Sequence, residues 1–439
     1  MSCTGRRARL PAEGFASAAA RIKVRGETPF RESLTMTETQ PANRGPLAGI
    51  RILDLTAVIL GPYATMLLGD MGAEVIKVES PGEGGGDIMR WPGSHPEAAG
   101  PGMGPLFMMY NKNKKSVALD LKRPEDQEAC VALARTCDVV CSNMRMDTAA
   151  RLTMDYESLK SRVPGLIYIH AAGFGADGPY AGRPAYDDLI QGISGGADIL
   201  PRVDGNPAPR YLPTLAADKT VGLFMVQAVL AALFHKQRTG EGQFVEVPMF
   251  ECYTHFVMHE NLYGHVYDPP PAGTGFGYGR IHNPNRRPYQ SKDGWIGILP
   301  YSDRNWTDFF VLAGRPELNS DPKFSTYKAR MINIKELYSM MDSMVSTRTN
   351  AEWARVLTEK AIPFAPINRF EDLMNDPHLA EVGFFRKHEH PDGYTWVDMK
   401  HPVNYAASPA TTRLAPPKLG QDTEEVLREA GVSLPKAAE

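Results

Sequence analysis

From Gly49 onward, short apolar runs alternate with helical segments, and this alternation narrows the fold more than any other feature of the chain. Ile50–Leu55 (IRILDL) reads as a strand. Gly61–Pro62 opens a helix that runs through Leu67 and Leu68 to Met71, Gly72 ends it, and Ala73–Val78 (AEVIKV) is the next strand. A glycine just past a helix takes the left-handed turn that stops it, and the β-branched run behind it favours extended backbone. Ser116–Leu121 reads as a further strand, Pro124 opens an Ala- and Leu-rich helix to Thr136, and Asp138–Cys141 and Leu166–His170 continue the series. Strands joined by helical crossovers pair in parallel, so an α/β fold with a mostly parallel sheet and helices on both faces is expected.

The later part of the chain follows another pattern. Asp268–Gly279 (DPPPAGTGFGYG) reads as a linker leading to a mobile loop. Beyond it, Gly294–Leu299 is a predicted strand, and Trp306–Leu312 and Ile334–Val345 are predicted helices of a second, smaller α+β domain. Asp422-Thr-Glu-Glu425 has the form of a capping box before a short helix ended by Gly431. No internal repeat is seen. The first 35 or so residues carry seven arginines and lysines (Arg6, Arg7, Arg9, Arg21, Lys23, Arg25, Arg31) against Glu13, Glu27 and Glu32, without apolar periodicity. A disordered tail, translation starting at Met36, or a mitochondrial transit peptide each fit that composition.

Bulk chemistry removes several function classes. Lys and Arg total 48 against 51 Asp and Glu, a net charge of −3, so no global field draws nucleic acid or anionic lipid. The longest apolar stretch, Val221–Phe234, falls short of the roughly 20 residues a bilayer span needs. Cys3, Cys130, Cys137, Cys141 and Cys252 lack paired zinc spacing and fit free thiols in a reducing cytoplasm. Neither a nucleic-acid nor a membrane partner is expected.

Three places merit a chemical reading. A dinucleotide site needs GxGxxG between the first strand and helix, whereas this chain has Ile59-Leu-Gly-Pro-Tyr-Ala64, and Gly84–Gly86 comes after the second strand. His255 and His259, with His265 nearby, have helical spacing but no catalytic glutamate in a zincin position, so packed or solvated histidines are expected and no metal. Asp218 stands before the apolar run Lys219–Lys236. There it can cap the helix, or the helix N-terminus can keep it ionised as a nucleophile.

Longer blocks bear on that choice. PLAGIRILDLT and GPYATMLLGDMGAEVIKVESPGEGGGD, then NKNKKSVALDLK (111–122), Asn143–Leu152, GFGADGPYAGRPAYDDLIQGISG (173–195) and LAADKTVGLFMVQAVLAALFHKQRTGEGQFVEVPMFE (215–251), together resemble the class III CoA-transferase (CaiB/BaiF-type) family over residues 46–432. The resemblance implies a Rossmann-like large domain plus a smaller α+β domain, and two subunits interlocked as a homodimer. The implied division is 1–45 as an N-terminal extension, 46–255 as the first part of the large domain, 256–384 as linker and small domain, and 385–439 as a return segment completing the large domain. Asp218 falls on the family's nucleophilic aspartate. Contacts to coenzyme A carry over to Val58, Ile59, Leu60, Leu119, Asp120, Leu121, Lys122, Asn143, Met144, Arg145, Arg151, Tyr186 and Asp187, and the loop that folds over the site to Gly273–Gly279. Lys122, Arg145 and Arg151 suit the diphosphate and 3′-phosphate of CoA.

The implied activity is transfer of CoA from an acyl-CoA to a carboxylic acid through an aspartyl-CoA thioester, in the cytoplasm, with no metal. A 2-methylacyl-CoA racemase is the related alternative, but it needs a histidine where Tyr186 stands, and a phenol with a pKa of about 10 is a poor base near neutrality. A non-catalytic acyl-CoA-binding protein is the third reading. Arg280, His282, Arg286 and Arg287 suit a second carboxylate, which suggests a dicarboxylic acid, or else form a basic surface loop. Ser80 stands where one branch of the family carries a CoA-contacting arginine, leaving Lys77 or Arg90 to replace it.

Overall fold

Six strands form as short buried runs: β1 (Arg51–Leu55), β2 (Glu74–Glu79), β3 (Lys114–Ala118), β4 (Val139–Ser142), β5 (Ile167–Ala172) and β6 (Phe244–Pro248). They pair in parallel in the order β3-β2-β1-β4-β5-β6, the doubly wound Rossmann order. The computed structural model describes residues 45–95 and 99–432, so the N-terminal extension and its readings lie outside the described residues apart from Gly45. β6, with its alternating FVEV, is a strand that the sequence reading passed over.

Side-chain alternation along each strand builds two cores. Ile52, Val75, Val139, Ile167, Ile169 and Val247 face one layer, where they meet α1 (Leu60–Asp70), α4 (Ala216–Thr239) and α5 (Met249–Asn261). Leu53, Leu55, Ile76, Val117, Val140 and Tyr168 face the other, against α2 (Pro124–Arg135) and the C-terminal helix Thr423–Glu429. Each such buried aliphatic side chain contributes roughly 1.5–3 kcal/mol, so a sheet sandwiched this way is fixed from both sides. The helix α3 (Asp187–Ile193) packs on α4 and α5 beside the first core. Cys130, Cys137, Cys141 and Cys252 are free thiols, and burial pushes Cys130 and Cys137 up to about 12.

α4 reaches 24 residues, longer than the run read from sequence, and by length and composition alone it is able to cross a membrane. In this fold its buried side joins the sheet layer through Val221, Met225 and Val229, while Leu223, Leu230 and Phe234 stand exposed.

A third core gathers Trp306, Phe309, Phe310, Leu337 and Trp353 around an antiparallel sheet of β7 (Tyr289–Gln290), β8 (Trp295–Ile298) and β9 (Phe364–Pro366). The predicted helix Ile334–Val345 is two shorter helices, Ile334–Ser339 and Met341–Val345. The backbone tightens at Met340, whose N–H donates to Leu337 three residues back, and both pieces thereby bury their apolar residues in the same core. A hairpin of β10 (Phe385–Glu389) and β11 (Thr395–Met399) follows.

The chain then returns to the first sheet. Asn113 N–H donates to Leu414 O at 3.0 Å, Thr411 N–H to Asp70 O at 2.9 Å, and Lys112 Nζ reaches Asp398 Oδ2 at 2.8 Å. The capping box expected at Asp422 does not form. Its carboxylate accepts the Ser116 N–H at 2.8 Å instead, pinning the return segment to β3.

Candidate active site

In an open parallel sheet, loops diverge at the carboxyl ends of the strands where the order reverses, leaving a crevice. Here the reversal lies between β1 and β4. A cavity of about 730 Å³ sits there, bounded by Leu55–Leu60 after β1, Asn143–Asp147 after β4 and His170–Phe174 at the end of β5.

The loop after β1 is tied at every step. Asp54 Oδ1 accepts the Thr56 N–H at 3.0 Å, and Lys77 Nζ donates to Thr56 O at 2.7 Å. Asn143 holds Ala57 from both sides, accepting its N–H at 3.0 Å and donating to its carbonyl at 2.8 Å. The Val58 N–H meets both oxygens of Asp87 at 3.2 Å. The carboxylates concerned are paired: Lys77 with Asp87 at 3.0 Å, Lys114 with Asp54 at 3.0 Å, Arg90 with Glu79 at 2.6 Å. Burial works against the charged forms, yet these cations and hydroxyl donors hold Asp54 and Glu79 down to about 2, while burial pushes Lys114 down to about 8. Lys77 and Arg90 are therefore enclosed in this network. Arg90 also donates to Gly102 O and Pro417 O, so neither cation is free to replace the arginine absent at Ser80.

Asp218 is placed differently. It is the third residue of α4, Leu215 holds the N-cap position, and the Asp218 side chain makes no cap. Its N–H donates to Asp187 Oδ1 at 2.9 Å. Among the described residues nothing ion-pairs with or hydrogen-bonds to its carboxylate, which lines the cavity. Burial, with Asp187 and Asp188 nearby, pushes it up to about 7. Against the expectation that the helix N-terminus keeps it ionised, desolvation and the two neighbouring carboxylates disfavour the charged form.

Of the residues carried over from the resemblance, Val58, Ile59, Leu60, Asn143, Met144, Arg145 and Tyr186 line this cavity with Asp218. Asn143, however, has its side-chain amide engaged with Ala57. Asp187 lies behind Asp218, 5% exposed, its second oxygen accepting from Gln191 Nε2. Leu119, Asp120, Leu121, Lys122 and Arg151 stand outside the cavity. Leu119 and Leu121 belong to the second core layer, the Asp120 carboxylate accepts the Lys122 N–H, and Arg151 lies exposed on the helix Met146–Arg151. Neither Gly273–Gly279 nor the basic run after it lines the cavity. Gly277 N–H bonds back to Asn261 O, Arg280 Nε donates to Tyr338, and Arg287 pairs with Asp342. His255 and His259 are exposed on α5, and no metal-holding cluster exists among the described residues.

Sequence reasoning missed Asp87, His170, Arg183 and Glu246, all lining the cavity. His170 lies within β5, two residues before its end, with burial pushing it down to about 4 and Nδ1 without a partner among the described residues. Arg183 stacks on Tyr180 at 4.2 Å. No common short-range signal marks them: His170 and Glu246 sit within β5 and β6, Asp87 in the long loop after β2, and Arg183 in the loop that leads to Asp187.

The arrangement offers an unpaired carboxylate that titrates near neutrality, opening on a cavity with one rigid polar wall. Comparison with known proteins gives the family of the chain. The family model for CoA-transferase family III matches residues 47–423. The succinate–glutarate CoA-transferase of Agrobacterium fabrum is 32% identical over 394 residues, covering 89% of this chain and 96% of the relative. The succinyl-CoA–L-malate CoA-transferase beta subunit of Chloroflexus aurantiacus is 32% identical over 88% of this chain and 94% of its own length. Among solved structures, Rv3272 of Mycobacterium tuberculosis superposes with a TM-score of 0.73 at 29% identity, over 87% of this chain and 99% of that one. A CaiB/BaiF family protein of Brucella suis gives a TM-score of 0.73 at 28% identity, over 88% and 100%.

Proposed function

Since this chain belongs to CoA-transferase family III, we propose that it transfers CoA through a covalent intermediate on Asp218. The observation that carries the reading is the Asp218 carboxylate, unpaired and facing the 730 Å³ cavity. In its ionised form one oxygen attacks the thioester carbonyl of the donor. The C–S bond breaks, CoA leaves as thiolate, and an acyl-aspartyl anhydride remains. The thiolate attacks the aspartyl carbonyl, releasing the donor acid and leaving an aspartyl-CoA thioester. The incoming carboxylate attacks that thioester, forms a new anhydride and frees the thiolate again. Attack of the thiolate on the acceptor carbonyl yields the new acyl-CoA and restores Asp218. No proton is gained or lost over the cycle, and each step exchanges one activated carboxyl for another. A backbone N–H facing the tetrahedral oxyanion contributes about 3 kcal/mol.

The cavity wall of Val58–Leu60, Met144, Arg145 and Tyr186 is the reading for the pantetheine end of CoA, with Lys122 and Arg151 further out for its phosphates. Dicarboxylic acids are the acceptor class this reading favours. Relatives named for glutarate, malate, oxalate and mesaconate support it, as do Arg145 and Arg183 at the cavity. A homodimer belongs to the same reading, supported by the exposed apolar side chains Leu223, Leu230 and Phe234 of α4.

The test is trapping. Protein incubated with succinyl-CoA and then hydroxylamine is expected to carry a hydroxamate at Asp218, located by mass spectrometry. Undiminished exchange by Asp218→Ala overturns the covalent route. Solvent deuterium entering the α-carbon of 2-methylacyl-CoA without an acceptor points to the racemase.

A further inference from the structure

Val58 has φ +75°, in the left-handed region that β-branched residues avoid. Such a conformation persists only where the surroundings over-determine it. With Ala57 held by Asn143 on one side, the Val58 N–H itself is held by one carboxylate. Both oxygens of Asp87 accept the Val58 N–H at 3.2 Å, and Oδ2 also takes Lys77 Nζ at 3.0 Å. Asp87 is itself fixed: its Oδ1 accepts the Met89 N–H at 3.0 Å, and its own N–H donates to Glu79 Oε1 at 2.9 Å. Lys77 closes the ring on Thr56 O, two residues before Val58. The Lys77 and Asp87 side chains are 1% and 0% exposed, so no water competes for these bonds. Directly after the strained residue, Ile59 and Leu60 line the cavity, and Leu60 begins α1.

We propose that Asp87, braced by Lys77, is a positioning residue for CoA binding: it holds Val58 in its left-handed turn and thereby sets the course of Val58–Leu60 along the cavity wall. The inference rests on the reading that this cavity takes CoA. It assigns to a buried pair a role in affinity rather than in stability alone.

The experiment measures binding of free CoA by calorimetry to wild type, Asp87→Ala, Asp87→Glu, Val58→Gly and the two double variants. Glycine enters the left-handed region without steric cost, so the need for Asp87 falls when residue 58 is glycine. Asp87→Ala is expected to weaken CoA binding at least tenfold with valine at 58, and less than threefold with glycine. Asp87→Glu keeps a charge for Lys77 but displaces it by one methylene, and is expected to show the same relief by glycine. If Asp87→Ala does not fold, the Asp87→Glu pair carries the comparison. An equal loss in both backgrounds, or wild-type affinity in Asp87→Glu, overturns the proposal while leaving the transferase reading intact. A wild type that binds no CoA overturns both.

Discussion

Two groups of acids at the cavity, or tied into the loop that walls it, are treated in opposite ways. On β1 and β2 and in the loop that follows, Asp54, Glu79 and Asp87 each face a cation, and Asp54 and Glu79 are held near 2. At the start of α4, burial together with the charges of Asp187 and Asp188 raises Asp218 to about 7. Residue type does not distinguish the groups; the partners do. A paired, buried carboxylate fixes backbone, and here it fixes the loop Thr56–Val58. An unpaired one gains no structural partner and keeps its oxygens for a substrate, at a cost in stability whenever it ionises.

The widest separation of the two groups is expected in activity. Asp218→Ala is predicted to lower CoA exchange by about three orders of magnitude or more, as for loss of an attacking group, with little change in melting temperature. Steady-state assay beside thermal denaturation checks this, and a large fall in melting temperature would contradict it. On the other side, Asp54→Ala strips the acceptor from Thr56, Thr65 and Lys114 at once and leaves a buried ammonium unpaired. The expected loss is about 3–5 kcal/mol of unfolding free energy, read from urea denaturation. A loss below about 1 kcal/mol would mean that the paired group does not carry the loop.

How far the sequence disclosed this contrast follows from what each feature depends on. β1, α1 and β2 were legible because apolar runs, Gly72 and β-branched residues act within a few positions of one another. β6 was not, since its short alternating run becomes a strand by pairing with β5. The break at Met340 and the diversion of Asp422 to Ser116 likewise depend on packing against distant partners. At the site, Asp218 was identifiable, but its titration was not. Asp187 lies 31 residues away and meets it through a hydrogen bond to the backbone. The tied loop was the least visible part: Asp87, Lys77 and Asn143 carry ordinary charged or polar side chains whose role appears only when β1, β2 and β4 stand side by side.

A third prediction addresses the unpaired group alone. Asp187→Asn keeps an oxygen for the Asp218 N–H while removing a charge. Asp218 should then ionise at lower pH, and the acid limb of the pH–rate profile should move downward, raising the rate at pH 6 relative to pH 8 by about threefold or more. An unmoved limb would show that Asp187 is only a structural acceptor.

The smallest expected effect is the one that tests whether catalysis here opposes stability. Burial and its neighbours raise Asp218 from 3.8 to about 7, so the folded state favours the protonated form. Its contribution is therefore fully present below about pH 4, is lost as pH rises through 7, and stays lost above. Asp54 and Glu79 have the opposite sign, but they titrate near 2 and remain ionised across that window. Comparing wild type with Asp218→Asn, a neutral group of similar shape, isolates the difference. The variant should melt together with wild type at pH 4 and roughly one or two degrees above it at pH 8, a small margin because the side chain is only half-buried. If the two proteins separate equally at both pH values, ionisation of Asp218 is not what the fold resists, and its raised pKa has no counterpart in stability.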